Sequence, residues 1–366
     1  MTEAHAKFMK LAIKEARRGV GRTSPNPAVG AVIVREGRVV AQGYHHQAGM
    51  PHAEVDAFGK IDNRAPGGTL YVTLEPCNHF GKTPPCTELV LKSGVKRVVV
   101  GMRDPNPLVT GGGCNYLEKK GLEVVTGILK DECIRLNEAF IKFISTGRPF
   151  VIAKSAITLD GWTATSAQHS QWITNEKSRN HVHEIRNEVD AILVGSGTLH
   201  ADNPSLTSRI KGVKTKDPIR IVLDTHLSIK EDANLVIQDS KAKTIIVTGP
   251  DVSKEKKARF EKKGVQILEI ALKDHRLDLN ELMIKLGQMS ILSLLVEGGS
   301  RVAGSALKAG IVNKVLLFFA PKLLGGSDGT PIFKGKGPLL IKDAFRLKQV
   351  SLTQFDDDIL VKGYLK

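Results

Sequence analysis

One imidazole and two thiols stand apart from the rest of the chain by their spacing. His52-Ala53-Glu54 is followed by Pro76-Cys77 and then Cys86, with eight residues, Asn78 to Pro85, between the cysteines. A neutral imidazole and two thiolates make three of the four ligands that tetrahedral Zn2+ takes, and a catalytic zinc leaves the fourth position to water. Water held there loses a proton near neutral pH and becomes a usable nucleophile. Glu54 opens a helix candidate, so its carboxylate can lie beside the ion without ligating it. That is the position for a proton shuttle between the water and a leaving amine. The expectation is one zinc per chain, held by His52, Cys77 and Cys86, with Glu54 as the catalytic acid–base. Cys114 and Cys133 lack such neighbours and read as ordinary thiols.

A second chemical signal lies far downstream. Leu294-Leu295-Val296-Glu297-Gly298-Gly299-Ser300 is an apolar run entering glycines, followed by a helix candidate at Arg301–Lys308. Backbone amides at a glycine-rich helix start form an anion site, suited to a cofactor diphosphate. A plain strand-to-helix turn explains the same residues about as well. No GxGxxG follows a strand, so the usual dinucleotide fingerprint is absent.

The elements that must position these groups alternate. Phe8, Leu11, Ala12 and Ala16 recur at helical spacing before Gly19. Strand-like runs at Ala28–Val34 and Arg38–Tyr44 join across Glu36-Gly37 as a hairpin. A helix at Ala53–Lys60, a strand at Thr69–Leu74, a helix at Cys86–Lys92 and a strand at Arg97–Met102 follow. A strand at Val124–Ile128 then leads into a helix at Asp131–Ser145. Thr146-Gly147-Arg148-Pro149 breaks the pattern and divides the chain into domains at 1–147 and 148–366. The second half places strands at Phe150–Ile157, Ala191–Val194, Ile219–Asp224, Thr244–Thr248, Val265–Ile270 and Leu292–Val296. Helices fall at Asn175–Glu188 and Leu279–Gln288, and a terminal hairpin at Phe345–Leu365 turns near Asp356-Asp357-Asp358. Two α/β domains in tandem are expected.

Composition bounds the alternatives. At 366 residues the chain is long enough for two cores, and 41% hydrophobic with 25% charged residues is ordinary for a globular protein. The longest apolar runs, such as Val315 to Pro321, fall well short of the roughly 20 residues a membrane span needs. MTEAHAKFMK lacks the apolar core of a signal peptide, and four cysteines are no disulfide scaffold, so a cytoplasmic location is expected. The net charge is +15, but residues 1–147 carry 20 basic and 14 acidic side chains and the remainder 33 and 24, with no basic tail. Spread positive charge suits small phosphorylated ligands, and no nucleic-acid partner is expected.

His-x-Glu followed by Pro-Cys-x-x-Cys is the signature of zinc nucleobase deaminases, from which this chain departs by its wider cysteine spacing. The departure is informative. Pro76-Cys77-Asn78-His79-Phe80-Gly81-Lys82-Thr83-Pro84-Pro85-Cys86 resembles the pyrimidine deaminase of riboflavin biosynthesis, the N-terminal half of the bacterial bifunctional RibD family. Ser24-Pro25-Asn26-Pro27-Ala28-Val29-Gly30, Gly43-Tyr44-His45, Ala48-Gly49-Met50-Pro51-His52-Ala53-Glu54-Val55 and Asp104-Pro105-Asn106-Pro107 agree with it. The resemblance implies that Asn26, His45, Asp104 and Asn106 meet the substrate, with Lys82 and Thr83 near its phosphate. Lysine supplies charge and threonine a donor for such a group. Taken alone, Asn26, Asp104 and Asn106 read first as turn residues beside proline.

The second half is similar to the reductase of the same family. The likeness rests on Lys154-Ser155-Ala156 with Leu159-Asp160-Gly161, Ser170-Gln171-Trp172-Ile173-Thr174, Gly195-Ser196-Gly197-Thr198 and Glu297-Gly298-Gly299. Asp202-Asn203-Pro204 stands where the family often has Asp-Asp-Pro. The resemblance implies an N-terminal cytidine-deaminase-like three-layer domain, a C-terminal dihydrofolate-reductase-like domain, and NADPH. It places Ala156, Trp172, Thr198, Asp202, Thr225, Gly299, Ser300, Arg301, Val302, Ala303, Gly304 and Ser305 at the cofactor. Lys154, Ser170, Arg186, Leu206, Arg209 and Glu297 would meet the reductase substrate. Without the resemblance, Arg186 reads as a solvated helix charge, Trp172 as a core aromatic and Arg301 as helix surface. The implied function is deamination of 2,5-diamino-6-(5-phosphoribosylamino)pyrimidin-4(3H)-one to the uracil, then reduction of its ribosyl group to ribityl. The substrate is a phosphorylated pyrimidine, and the family implies a homo-oligomer.

Overall fold

A computed structural model describes residues 2–79, 84–106 and 112–365. It divides into two compact units, Met1–Gly147 and Arg148–Lys366.

In the first unit α1 (Thr2–Arg17) precedes the hairpin of β1 (Gly30–Arg35) and β2 (Arg38–Tyr44). Then come α2 (Ala53–Phe58), β3 (Thr69–Leu74), α3 (Cys86–Lys92), β4 (Arg97–Met102), α4 (Gly113–Lys119), β5 (Glu123–Thr126), α5 (Lys130–Leu136) and α6 (Glu138–Thr146). The sheet order is β2-β1-β3-β4-β5, antiparallel across β2, β1 and β3 and parallel from β3 to β5. Alternation along the strands sorts their side chains into two cores. Ala31, Ile33, Leu70, Val72, Val98 and Val100 pack with Ala53, Ala57, Phe58, Val90 and Leu117 on the side of α2, α3 and α4. Val32, Val34, Tyr71 and Val99 pack with Met9, Ala12, Ile13 and Cys133 on the side of α1 and α5. With both faces covered, the central strands are Val- and Ile-rich throughout, which made them legible as buried runs.

One expectation needs correction here. The helix expected over Asp131–Ser145 is two helices, broken at Asn137. The Asn137 side chain accepts from the Ala28 N–H at 2.9 Å and donates to the Ala28 carbonyl at 3.0 Å, so a contact 109 residues away overrides local helix preference. The buried face of α1 is Met9, Ala12, Ile13 and Ala16, with Phe8 and Leu11 at its margin.

The second unit runs β6 (Phe150–Thr158), β7 (Trp162–Ala164), α7 (Glu176–Glu188), β8 (Ala191–Gly195), α8 (Ser196–Asp202), β9 (Ile219–Leu223), α9 (Asn234–Ile237) and β10 (Thr244–Thr248). It continues with α10 (Lys254–Glu261), β11 (Gln266–Glu269), the two-residue strands β12 (Leu272–Lys273) and β13 (Arg276–Leu277), α11 (Leu279–Gln288), β14 (Ser293–Glu297) and α12 (Ser300–Lys308). β15 (Lys314–Ala320), β16 (Thr330–Pro331), β17 (Lys348–Phe355) and β18 (Asp358–Tyr364) complete it. The main sheet has the order β11-β10-β9-β8-β14-β6-β15-β18-β17. It is parallel from β11 to β15, and β18 and β17 close it antiparallel. The chain leaves β6, winds outward from β8 to β11, and returns through β14 between β8 and β6. The connections leaving the neighbouring strands β8 and β14 run in opposite directions, so the winding reverses between them, and their carboxyl ends flank the kind of crevice in which open α/β sheets bind ligands. No helix among the described residues is long and apolar enough to cross a membrane.

Glycine fixes how closely the helices of the first unit approach its sheet. A Cβ at Gly30 would lie 2.1 Å from the Ala12 carbonyl oxygen, and one at Gly43 2.4 Å from the Ala57 nitrogen. Both obstacles are backbone, so they yield only if α1 or α2 moves. Gly30→Ala is expected to lower the stability of the full chain by about 3 kcal/mol in urea unfolding. A loss below roughly 0.5 kcal/mol would show that α1 is free to shift.

Candidate active sites

The three metal-type ligands converge at two helix starts. His52 is the residue that caps α2, and Cys86 is the first residue of α3, capped by Pro85. Cys77 follows β3 in the connecting loop. His52 Nδ1 lies 3.3 Å from Cys86 Sγ and 3.6 Å from Cys77 Sγ, and the three donor atoms lie within 4.8 Å of one another. A tetrahedral zinc with ordinary Zn–N and Zn–S bonds separates such donors by roughly 3.5 Å, so the set fits that ion. Among the described residues it is the one group of three or more His, Cys, Asp or Glu side chains so arranged. The Cys86 N–H also donates to Cys77 Sγ at 3.3 Å.

Protonation follows from this crowding. The Cys86 thiol and the His52 ring bring the Cys77 pKa down to about 4, while the Cys77 thiolate and burial push that of Cys86 upward. His52 is raised, first by its bond to Cys77. Glu54 is 3% exposed, and burial, followed by the Cys77 charge, pushes it up to about 7. A carboxyl poised there can both take and return a proton near neutrality. Cys114 and Cys133 are buried, and burial pushes each thiol up to about 12, as inert core thiols require.

Beside the ligands, His45 is buried and burial lowers its pKa, favouring the neutral ring. Its Nδ1 faces the Pro51 carbonyl at 3.0 Å and its Nε2 faces Asn26 Nδ2 at 3.2 Å. The consistent tautomer has Nδ1–H donating to the carbonyl and Nε2 accepting from the amide. The His45 ring stands edge-on to His52, 5.6 Å between centroids. Asp104 Oδ1 accepts from the Asn106 N–H at 2.9 Å, and burial, against that bond and aided by the Glu75 charge, raises the Asp104 pKa. Lys82 and Thr83 lie outside the described residues. Sequence reading passed over Glu75, a buried carboxylate that receives the Asp104 N–H at 3.0 Å and the Cys114 N–H at 2.8 Å. Its one sequence signal was a charge between a strand and Pro76-Cys77.

The second unit brings Lys154, Arg186 and Glu297 together. Arg186 donates through Nε and Nη2 to the two Glu297 oxygens at 2.9 and 2.7 Å, and Lys154 Nζ reaches Oε1 at 3.4 Å. Glu297 and Lys154 are register partners on β14 and β6. All three side chains are less than 15% exposed, so Arg186 is no solvated helix charge. Burial alone would raise Glu297, but the Arg186 and Lys154 charges outweigh it and bring the carboxyl down to about 2. Arg186 Nη1 also donates to the Thr207 carbonyl at 3.1 Å.

Next to this cluster Gly298 and Gly299 take φ of +91° and +81°, a conformation that favours glycine, and lead into α12. Thr198 Oγ1 would lie 3.3 Å from a Cβ at either. Val302 faces Gly195, and Gly304 admits the Lys334 carbonyl, which would stand 2.3 Å from a Cβ there. The Ser300 hydroxyl donates to the Pro331 carbonyl. Ala303 is buried on α12, Ser305 Oγ accepts from Arg276 at 3.2 Å, and Arg301 is exposed on the helix surface. Trp172 is 63% exposed, with the Arg179 guanidinium 4.6 Å above its ring, and so is not a core aromatic. Ala156 lies on β6 opposite Phe318, and the Arg209 N–H donates to His183 Nδ1 at 3.2 Å. Leu206 is buried, Asp202 ends α8, Thr225 follows β9 and accepts from the Gly249 N–H, and Ser170 is half-buried. No described hydrogen bond joins these four to the Glu297 cluster or the glycine turn.

Residues 149–361 match the RibD C-terminal domain family, and residues 2–102 match the cytidine and deoxycytidylate deaminase zinc-binding region. The chain is 44% identical to the riboflavin biosynthesis protein RibD of Bacillus amyloliquefaciens, over 96% of this chain and 94% of the relative. It is 45% identical to that of Actinobacillus pleuropneumoniae, over 97% and 93% respectively. Among solved structures, the diaminohydroxyphosphoribosylaminopyrimidine deaminase/5-amino-6-(5-phosphoribosylamino)uracil reductase of Thermotoga maritima superposes with a TM-score of 0.87 at 38% identity, covering 100% of this chain and 99% of that one. Acinetobacter baumannii RibD gives 0.88 at 34% identity, with 100% of both chains covered. The first unit is thus cytidine-deaminase-like and the second a reductase of the dihydrofolate-reductase-like type. The chain belongs to the RibD family of riboflavin biosynthesis, bifunctional enzymes that join a zinc-dependent deaminase to an NADPH-dependent reductase.

Proposed function

We propose that residues 1–147 deaminate 2,5-diamino-6-(5-phosphoribosylamino)pyrimidin-4(3H)-one and that residues 148–366 reduce the ribosyl group of the resulting 5-amino-6-(5-phosphoribosylamino)uracil to ribityl. The observation that carries the first half is a three-donor His/Cys/Cys set with a buried carboxyl, Glu54, beside it. His52 Nδ1, Cys77 Sγ and Cys86 Sγ hold zinc, which supplies a Lewis acid that makes water nucleophilic near neutral pH. Glu54 takes a proton from the attacking water and gives it to the adjacent ring nitrogen, then carries the proton of the new hydroxyl to the departing amine, so that ammonia leaves and a carbonyl remains. Asn26, His45, Asp104 and Asn106 orient the pyrimidine, and Lys82 and Thr83 take the phosphate.

In the reductase two sets of residues divide the labour. Gly299–Ser305, with Ala156, Trp172, Thr198, Asp202 and Thr225, bind NADPH, which supplies a hydride. Lys154, Ser170, Arg186, Leu206, Arg209 and Glu297 hold the phosphorylated substrate with its ribosyl carbon toward that hydride. Positioning is the main demand of such a transfer. A homo-oligomer is proposed as well, supported by β17, an edge strand that exposes Val350 and Leu352. The free state of all four thiols suits a reducing cytoplasm.

Zinc holding and proton transfer are separable. Cys77→Ser or Cys86→Ser is expected to lose metal and deamination together, because a hydroxyl is a far poorer zinc ligand than a thiolate. Glu54→Gln is expected to keep its zinc while deamination falls by at least about 100-fold. Metal analysis beside an ammonia assay reads both, and full zinc with full rate in either cysteine variant contradicts the ligand set.

The two sites are expected to fail independently. Gly299→Asp puts a carboxylate where cofactor phosphate belongs, on backbone that favours glycine. That variant should release ammonia normally and fail to oxidise NADPH. Unchanged NADPH affinity in a folded Gly299→Asp protein would make the turn purely structural.

A further inference from the structure

Glu75 follows β3 immediately and precedes Pro76-Cys77, and it is 8% exposed. A carboxylate buried there needs donors, since an unpaired buried charge is costly. Its donors are main-chain groups from both described ends of the connection between β4 and α4. Oε2 accepts from the Asp104 N–H at 3.0 Å and Oε1 from the Cys114 N–H at 2.8 Å, while its own N–H donates to the Met102 carbonyl at 3.0 Å. A second, independent observation locks the same segments together. A Cβ at Gly113 would lie 1.9 Å from the Pro76 carbonyl oxygen and 3.3 Å from the Thr87 methyl, and the Thr87 N–H donates to the Cys77 carbonyl at 3.3 Å. Asp104 in turn accepts from the Asn106 N–H, so the placement of one sets the other.

We propose that Glu75 is a positioning residue of the deaminase pocket, whose Oε2 holds the Asp104–Asn106 segment, and whose Oε1 holds the start of α4, in fixed register with the metal-holding Cys77. The inference rests on the reading of Asp104 and Asn106 as substrate-binding residues. Glu75 moves no proton and holds neither metal nor substrate. It keeps the parts that do so at a set separation. Both oxygens accept, which is why the residue must be a carboxylate. An amide offers one acceptor and turns an NH2 toward the second backbone N–H, so one of the two bonds must break.

The test is Glu75→Gln in the full-length, zinc-loaded protein. Four quantities are read: hydrogen exchange at the Asp104 and Cys114 amides, zinc content, deamination of the diaminopyrimidine phosphate, and reduction of supplied aminouracil phosphate. The expected result is faster exchange at one or both amides and a KM for deamination raised by about tenfold or more, from loss of a charge-assisted bond. kcat is expected to change by less than about threefold, since the interaction is lost alike in ground and transition states. Zinc content and reduction should be unchanged. Loss of zinc, or a fall in kcat at constant KM, would make Glu75 a structural support of the metal loop and overturn the proposal. Unchanged protection at both amides overturns it whatever the substrate proves to be. Absence of deamination in the unaltered protein would instead overturn the functional reading, which the exchange measurement does not depend on. A double variant with Asp104→Asn completes the test. If Glu75 acts through that segment, the double KM matches the worse single variant, whereas effects that multiply contradict it.

Discussion

The deaminase half depends on holding three electron-rich donor atoms within bonding distance of one point. His52 Nδ1 and two sulfurs at 3.3 and 3.6 Å from it would repel or share protons without a cation between them, as the opposite shifts of Cys77 and Cys86 record. The fold prepares for this cost by delivering His52 and Cys86 at the starts of α2 and α3, where free N–H groups and the helix dipole favour negative charge. The first of those helices lies close over the sheet, as Gly43 permits against Ala57. The position of Glu54 beside the donor set follows from the same geometry. It lies two residues past His52 in the first turn of α2, buried, where burial sets its acidity.

The reductase half shows the complementary arrangement, a buried anion answered by two cations. Glu297 without Arg186 and Lys154 would be an uncompensated charge at the end of β14, and either cation without Glu297 would be equally exposed to desolvation. The bidentate Arg186 fork fixes orientation as well as charge. Such a triad contributes little net stability and much geometry. It stands where the winding of the sheet reverses, beside the glycines that open α12, which is why the proposed cofactor turn and the proposed substrate residues are neighbours in the fold.

How much of this could be read in the sequence depended on whether the signal was local. Strands β1, β3, β4, β6, β8 and β14 were legible because a strand covered on both faces is a continuous run of Val, Ile and Leu. The metal set was legible because zinc chemistry restricts residue types at short spacing. Asn137 was not, since its helix break arises from a pairing with Ala28 that no window contains. The helix Gly113–Lys119 was missed for a related reason: its first residue is a glycine required by the Pro76 carbonyl, not by helix preference. Arg186 and Trp172 were misjudged when taken alone because burial is a tertiary property, and one proved buried in an ion cluster and the other exposed under a guanidinium. Glu75 was passed over because its partners are backbone groups, which leave no pattern in residue types.

The central claim is that one chain carries out two reactions in a fixed order, deamination and then reduction. Its most direct test is to give the purified zinc-loaded protein the diaminopyrimidine phosphate, with and without NADPH, and to identify the products by mass. Without NADPH the account requires a single product in which one amine has been exchanged for oxygen and the ribosyl group is intact. With NADPH it requires the same exchange plus two further hydrogens, with one NADPH oxidised for each. A product that gains hydrogens while retaining both amines, or no exchange under either condition, would contradict the account.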